Sequence, residues 1–269
     1  MIHLRYFVVV LLSFKAVESS KTKLVVEGRK ANITKFPHSV FLRAKCYVND
    51  DIAGYWICGG SVLNQKIILT AAHCIYGCYP HSTFDVNMGH VHRDKGFSSM
   101  VKNFILHQAF RPLSGANDIG LVLINDIIKF NLNIKRISIM KRPPYFERAR
   151  IAGWGLINEM KPKIDSNLWY TTQYVLKKEE CAKLFKVPRG CICATSKKVK
   201  SYASRGDSGS ALVVKDYIQI GIVSWKEPSV SRSVVVYTDT GYFYQWIKEH
   251  AMILYCREMM KNNLTYVCA

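Results

Sequence analysis

Leu69-Thr70-Ala71-Ala72-His73-Cys74 runs an aliphatic stretch, Ile67-Ile68-Leu69-Thr70, into a histidine and a cysteine. Cys58-Gly59-Gly60-Ser61 lies just upstream, and two further stretches stand out downstream: Asn117-Asp118-Ile119-Gly120-Leu121 and Gly206-Asp207-Ser208-Gly209-Ser210. A serine hydroxyl is a weak nucleophile at neutral pH and needs an adjacent base. Histidine, with a pKa near neutrality, can take the proton and return it to a leaving amine. A buried aspartate can hold the imidazole in one tautomer and stabilise its charged form. A lone histidine such as His107 is more often structural than catalytic, but His73 differs because Ala-Ala-His-Cys follows a strand-like run; Asp118 alone could be a turn cap and Ser208 alone a turn serine. Together, in this order and at these gaps, the three support one reading.

Around these stretches the chain is rich in short β-branched and aromatic runs separated by turn residues. They include Ser39 to Leu42, Ser61 to Leu63, Ile67 to Thr70, Ile119 to Ile124, Ala211 to Val214, Ile218 to Trp225 and Val234 to Thr238. Such spacing predicts an all-β barrel or sandwich. Two segments read as helices: Lys177 to Phe185, and one starting near Tyr242 whose Phe243, Trp246, Ile247, His250 and Leu254 share a face.

The three motifs closely resemble the chymotrypsin/trypsin-like serine protease family, from about Val25 to Ala251. The resemblance implies an all-β fold of two antiparallel six-stranded β-barrels with a C-terminal helix and the active site in the cleft between the barrels. It assigns the base to His73, its orientation to Asp118 and attack to Ser208. The oxyanion would be held by the amides of Gly206 and Ser208. It also implies that a propeptide is cut ahead of Val25 and that the new amine pairs with Asp207. The residue before Val25 is Leu24, and Lys23 lies one position earlier, so a cut after either residue remains open.

The resemblance places the primary substrate pocket at Tyr202 and Ala203, with Ser224, Trp225, Lys226 and Val235 on its walls. Tyr202 stands where trypsins carry aspartate, so no trypsin-like preference for Arg or Lys is expected. Lys226 and Val235 replace two wall glycines, and bulk there should shrink or block the pocket. A preference for small side chains and a pocket too full for ordinary substrates both stay open. Arg205 and Lys226, near its mouth, could favour acidic residues elsewhere in a substrate.

Nine cysteines suit an exported, oxidised chain, and the odd number leaves at least one without an intramolecular partner. The resemblance pairs Cys58 with Cys74 and Cys181 with Cys193. It also sets Cys46 and Cys78 in neighbouring loops, and Cys256 with Cys268 could close the C-terminal tail. The bridge that normally braces the pocket is missing, because Ser204 stands in a cysteine's place, so a looser loop is expected. The cysteine spacing fits no zinc site, and no metal or organic cofactor is implied.

The 269 residues divide into a signal peptide (1–20), a short propeptide (21–24), a protease domain (25–251) and a C-terminal tail (252–269). The apolar run from Tyr6 to Phe14 is too short to span a bilayer and reads as a cleaved export signal. Sequons at Asn32 and Asn263 agree with secretion to the extracellular space. The net charge of +19 would favour acidic surfaces or glycans, though a solvated basic surface explains it more simply. No nucleic-acid module or membrane span is visible, and a monomer is expected. The leading function is a secreted endopeptidase acting on protein or peptide substrates. The rival is a protease-like scaffold, weak or inactive, that binds or regulates.

Overall fold

The computed structural model describes residues 28–47, 53–78, 81–145, 148–159, 163–197 and 201–261. The expected signal peptide, the propeptide, Val25, Asn263 and Cys268 lie outside these residues.

Two closed six-stranded antiparallel barrels and a C-terminal helix make up the fold. The first barrel uses β1 (Ser39–Tyr47), β2 (Ala53–Val62), β3 (Ile67–Thr70), β4 (Thr83–Met88), β5 (Phe97–Leu106) and β6 (Gly120–Ile124). They close in the order β1-β2-β3-β6-β5-β4, with β4 returning to β1. Every residue of β3 and β6 is buried, which fits their mainly aliphatic sequences.

The second barrel uses β7 (Arg148–Gly153), β8 (Trp169–Val175), β9 (Cys191–Thr195), β10 (Ala211–Val214), β11 (Ile218–Trp225) and β12 (Val235–Asp239). Its order is β7-β8-β9-β12-β11-β10, and β10 pairs back onto β7. Arg29–Lys30 adds a short edge beside β8. Helix α1 (Lys178–Leu184) is tied to β9 by the Cys181–Cys193 disulfide.

Helix α2 (Tyr244–Lys261) follows the second barrel in sequence but packs on the first. Phe243, just ahead of it, and Trp246, Ile247 and Leu254 join the same apolar cluster as Leu121, Leu123 and Ile75. The chain therefore clasps both barrels, and burying these side chains offsets part of the entropy lost on ordering the segment.

Main-chain and side-chain hydrogen bonds both cross the seam between the barrels. Gly59 N in β2 donates to Ser208 O at 2.6 Å. A methyl group on Gly59 would collide with Ser210, which explains the bare glycine there. The buried Ser61 hydroxyl donates to Gln219 Oε1 at 2.6 Å, a second link from β2 across to β11.

Candidate active site

His73 sits in the short 3-10 turn Ala72–Cys74 that follows β3. The Cys58–Cys74 disulfide fastens this turn to β2. Asp118 stands just ahead of β6, after Asn117, whose φ of 56° turns the chain and whose amide donates to Ala109 O at 2.8 Å. Asn tolerates this left-handed backbone better than most residues.

The Asp118 carboxylate is 2% exposed and fully engaged. Oδ1 accepts from His73 N at 2.9 Å, and Oδ2 meets His73 Nδ1 at 2.7 Å. Oδ2 also accepts from the Ser224 hydroxyl at 2.5 Å. The Asp118 carbonyl accepts from Thr238 Oγ1 at 2.8 Å. Ser224 and Thr238 belong to the second barrel, so the aspartate is gripped from both sides of the cleft. An ionised carboxylate can only accept, so it fixes the proton on Nδ1 and leaves Nε2 as the acceptor nitrogen.

Ser208 is held through its backbone. Its carbonyl takes the Gly59 amide, Gly209 N donates to Val223 O at 2.9 Å, and Ser210 N donates to Asp207 O at 3.0 Å. The hydrogen bonds of the described residues include none between the Ser208 hydroxyl and His73. Gly206 has φ +95°, and a Cβ there would lie 2.9 Å from Gly155 Cα. Only glycine meets both conditions without strain. Among the described residues no backbone acceptor is seen for the amides of Gly206 and Ser208.

Asp207 is buried behind this loop. Oδ1 accepts from Gly155 N at 2.8 Å and Oδ2 from Ser204 N at 2.9 Å. Burial pushes its carboxyl up to about 6, although both backbone donors favour the ionised form. Gly153 and Gly155 leave room for this carboxylate, since a Cβ on either would run into it.

The segment read as the primary pocket is filled by the chain itself. Tyr202, Ala203 and Val235 are buried in the second-barrel core. Tyr202 Oη donates to Glu159 Oε2 at 2.9 Å, and Ser204 Oγ donates to Glu159 Oε1 at 2.5 Å. Lys226 Nζ pairs with Glu159 Oε1 and lies 4.0 Å over the Tyr202 ring. Burial opposes the charge on Glu159, but the donors from Lys226, Ser204 and Tyr202 outweigh it and hold the carboxyl below its usual range. For Lys226 burial is the larger effect and lowers its pKa, against the pull of Glu159 and Asp207. Sequence reasoning set Lys226 at the pocket mouth; its ammonium is instead folded inward, the side chain 14% exposed. The loop lacking the usual bridge is pinned at Ser204 by Glu159 and Asp207.

Residues 25–247 match the trypsin family. The chain belongs to that family. Among its relatives, Hypodermin-B of Hypoderma lineatum is 30% identical over 235 residues, covering 84% of this chain and 87% of that one. Trypsin delta of Drosophila melanogaster is 27% identical, covering 84% and 88%. Of solved structures, HL collagenase superimposes with a TM-score of 0.72 at 26% identity, over 83% of this chain and 97% of that one. The scabies mite inactivated protease paralogue S-D1 gives the same TM-score of 0.72 at 24% identity, over 83% and 96%, and shows the fold alone.

In this trypsin-family chain a cleft of about 500 Å³ opens beside the histidine, lined by His73, Phe110, Leu113, Asp118, Trp225 and Glu227 among others. Glu159 escaped the sequence reading because nothing around it matches a motif; it lies beyond β7 and close to none of the other site residues in sequence. Cys46–Cys78 joins the other two disulfides, and Cys191 is a free thiol. Cys256 is disulfide-bonded. The metal-sized cluster found among the described residues is Cys58, His73 and Cys74, and its two sulfurs are already bonded to each other. That leaves no thiolate to bind an ion.

Proposed function

We propose that this chain is a secreted serine endopeptidase that hydrolyses peptide bonds through an acyl-enzyme. The observation that carries the reading is the Asp118 carboxylate, buried and bonded to both His73 Nδ1 and the His73 amide. It prepares Nε2 to take the Ser208 proton as Oγ attacks the substrate carbonyl carbon. The carbonyl oxygen becomes an oxyanion held by the amides of Gly206 and Ser208, each such donor contributing roughly 2.7–4 kcal/mol. His73 then gives its proton to the departing amine, and water releases the acyl group by the same steps.

In this reading a cut ahead of Val25 supplies an α-amine for Asp207. A buried carboxylate held by two backbone amides, with Lys226 acting on it only at a distance and no salt bridge to it among the described residues, fits such a partner. Disulfides agree with an oxidising, extracellular setting. Substrates are proteins or peptides, met by a monomer with a narrowed primary pocket.

A second reading, a catalytically weak homologue that binds or regulates, is favoured by one observation: Glu159 is bonded to Tyr202 and Ser204, in the segment read as the pocket. A fluorophosphonate probe separates the two. Labelling of protein cut ahead of Val25, lost in Ser208→Ala, supports the endopeptidase; a folded, cut protein that takes no probe supports the homologue.

A further inference from the structure

Three donors from two segments of the chain converge on one carboxylate. Tyr202 Oη reaches Oε2 of Glu159, while Ser204 Oγ and Lys226 Nζ both reach Oε1. Tyr202 and Ser204 flank Ala203 on the loop ahead of Ser208, and Lys226 follows β11. Their backbones belong to the pocket wall. Glu159 does not. It comes from the turn after Leu156–Asn158, a short strand pairing with Lys163–Ile164, and its side chain stays 27% exposed. A turn side chain with a path to solvent can leave while the wall stays in place.

The donors are built to hold an anion. The Lys226 ammonium is sandwiched between the Tyr202 ring, 4.0 Å from its centroid, and the carboxylate. Taking Glu159 away without a replacement leaves a largely buried ammonium facing only the more distant Asp207, together with two unpaired hydroxyls.

We propose that Tyr202, Ser204 and Lys226 form a carboxylate-binding subsite, filled in the free protein by Glu159, and that the substrate residue it admits at the cleaved bond is Asp or Glu. The proposal rests on the endopeptidase reading above. An acidic substrate side chain exchanges one carboxylate for another and keeps every donor paired. A neutral side chain leaves Lys226 without its anion, and Lys or Arg adds a like charge. Exposed Arg205 adds positive field, which Asp207 partly offsets. Glu159 then sets the threshold for entry, since each substrate must displace it.

The test compares peptides that differ only in Glu against Gln at the cleaved residue, on protein cut ahead of Val25. The expected result is a kcat/KM for the Glu peptide higher by roughly tenfold or more, the size of a charge-assisted hydrogen bond. Glu159→Ala should raise cleavage of the Glu peptide further, and Lys226→Met should abolish the Glu preference. Equal cleavage of both peptides, unchanged in Glu159→Ala, overturns the proposal. Binding of the same peptides to Ser208→Ala, read by calorimetry, needs no turnover. A Glu preference there with no fluorophosphonate labelling of the parent sinks the endopeptidase reading and keeps the carboxylate site; labelling with no preference does the reverse.

Discussion

Asp118 holds His73 at two points, the backbone amide at 2.9 Å and ring Nδ1 at 2.7 Å. Position and tautomer of the imidazole are therefore set by one carboxylate. Asp118→Asn keeps the shape and removes the obligate acceptor, so Nε2 no longer presents a free lone pair to Ser208. We expect peptide hydrolysis to fall by roughly four orders of magnitude while the fold is kept. A loss below tenfold, measured as kcat on protein with unchanged circular dichroism, contradicts the role given to Asp118.

Asp207 and His38 act on stability with opposite signs over one pH window. The Asp207 carboxyl is raised from 3.8 to about 6 by burial. The folded chain holds that proton more tightly, so the contribution is present below the unfolded value and lost as pH rises through 6. His38, buried beside Phe36, is lowered from 6.5 to about 4 by burial. Its contribution is present above 6.5 and lost as pH falls through 4. Each shift corresponds to about 3 kcal/mol across its window. Before any cut at Val25, the two slopes largely cancel. Relative to the parent, His38→Asn should gain urea resistance on acidification from about pH 6.5 to 4, and Asp207→Asn should lose it. Parallel stability–pH profiles for all three proteins count against this account.

Cys191 carries a thiol that burial, reinforced by the fields of Asp118 and Asp239, pushes up to about 12. A thiol in that state has almost no thiolate at pH 8 and is a poor nucleophile. Iodoacetamide should modify it at least about 100-fold more slowly in the folded protein than in urea. Equal rates by mass spectrometry would show an accessible, ordinary thiol.

The Cys46–Cys78 disulfide spans 32 residues, from the end of β1 past the His73 turn. Replacing both cysteines by serine frees that loop in the unfolded chain and should cost about 2–4 kcal/mol. The urea midpoint is the readout, and an unchanged midpoint rules the contribution out.

How much of this was legible in the sequence depended on what each residue had to do. β3, β6 and β10 announce themselves because every residue is buried and the runs are almost wholly aliphatic, and β11 shows through Ile218, Ile220, Ile222 and Val223. β5, Phe-Ser-Ser-Met-Val-Lys-Asn-Phe-Ile-Leu, is mostly half-exposed and mixes polar with apolar residues, so its pattern is faint. β7, Arg-Ala-Arg-Ile-Ala-Gly, puts two arginines among its first three residues, which masks its strand pattern. The α2 segment showed because Phe243, Trp246, Ile247, His250 and Leu254 recur at helical spacing, whereas α1 is short and buries only Cys181. His73 and Asp118 sit in motifs whose neighbours must form a turn or strand end, and those neighbours signpost them. Glu159 has no such local requirement. It matters through contacts with Tyr202, Ser204 and Lys226, residues that are distant in the chain and meet only after the second barrel closes.

The main-chain link from Gly59 to Ser208 carries an evolutionary consequence. A joint made of amide and carbonyl does not depend on which side chains line the neighbouring pocket. Residues such as Tyr202, Lys226 and Glu159 can drift, and the histidine and serine halves still meet in the same alignment. A lineage built on this seam is free to change its diet, or to give up cutting and keep only its grip, without first rebuilding the hinge on which its two halves are hung.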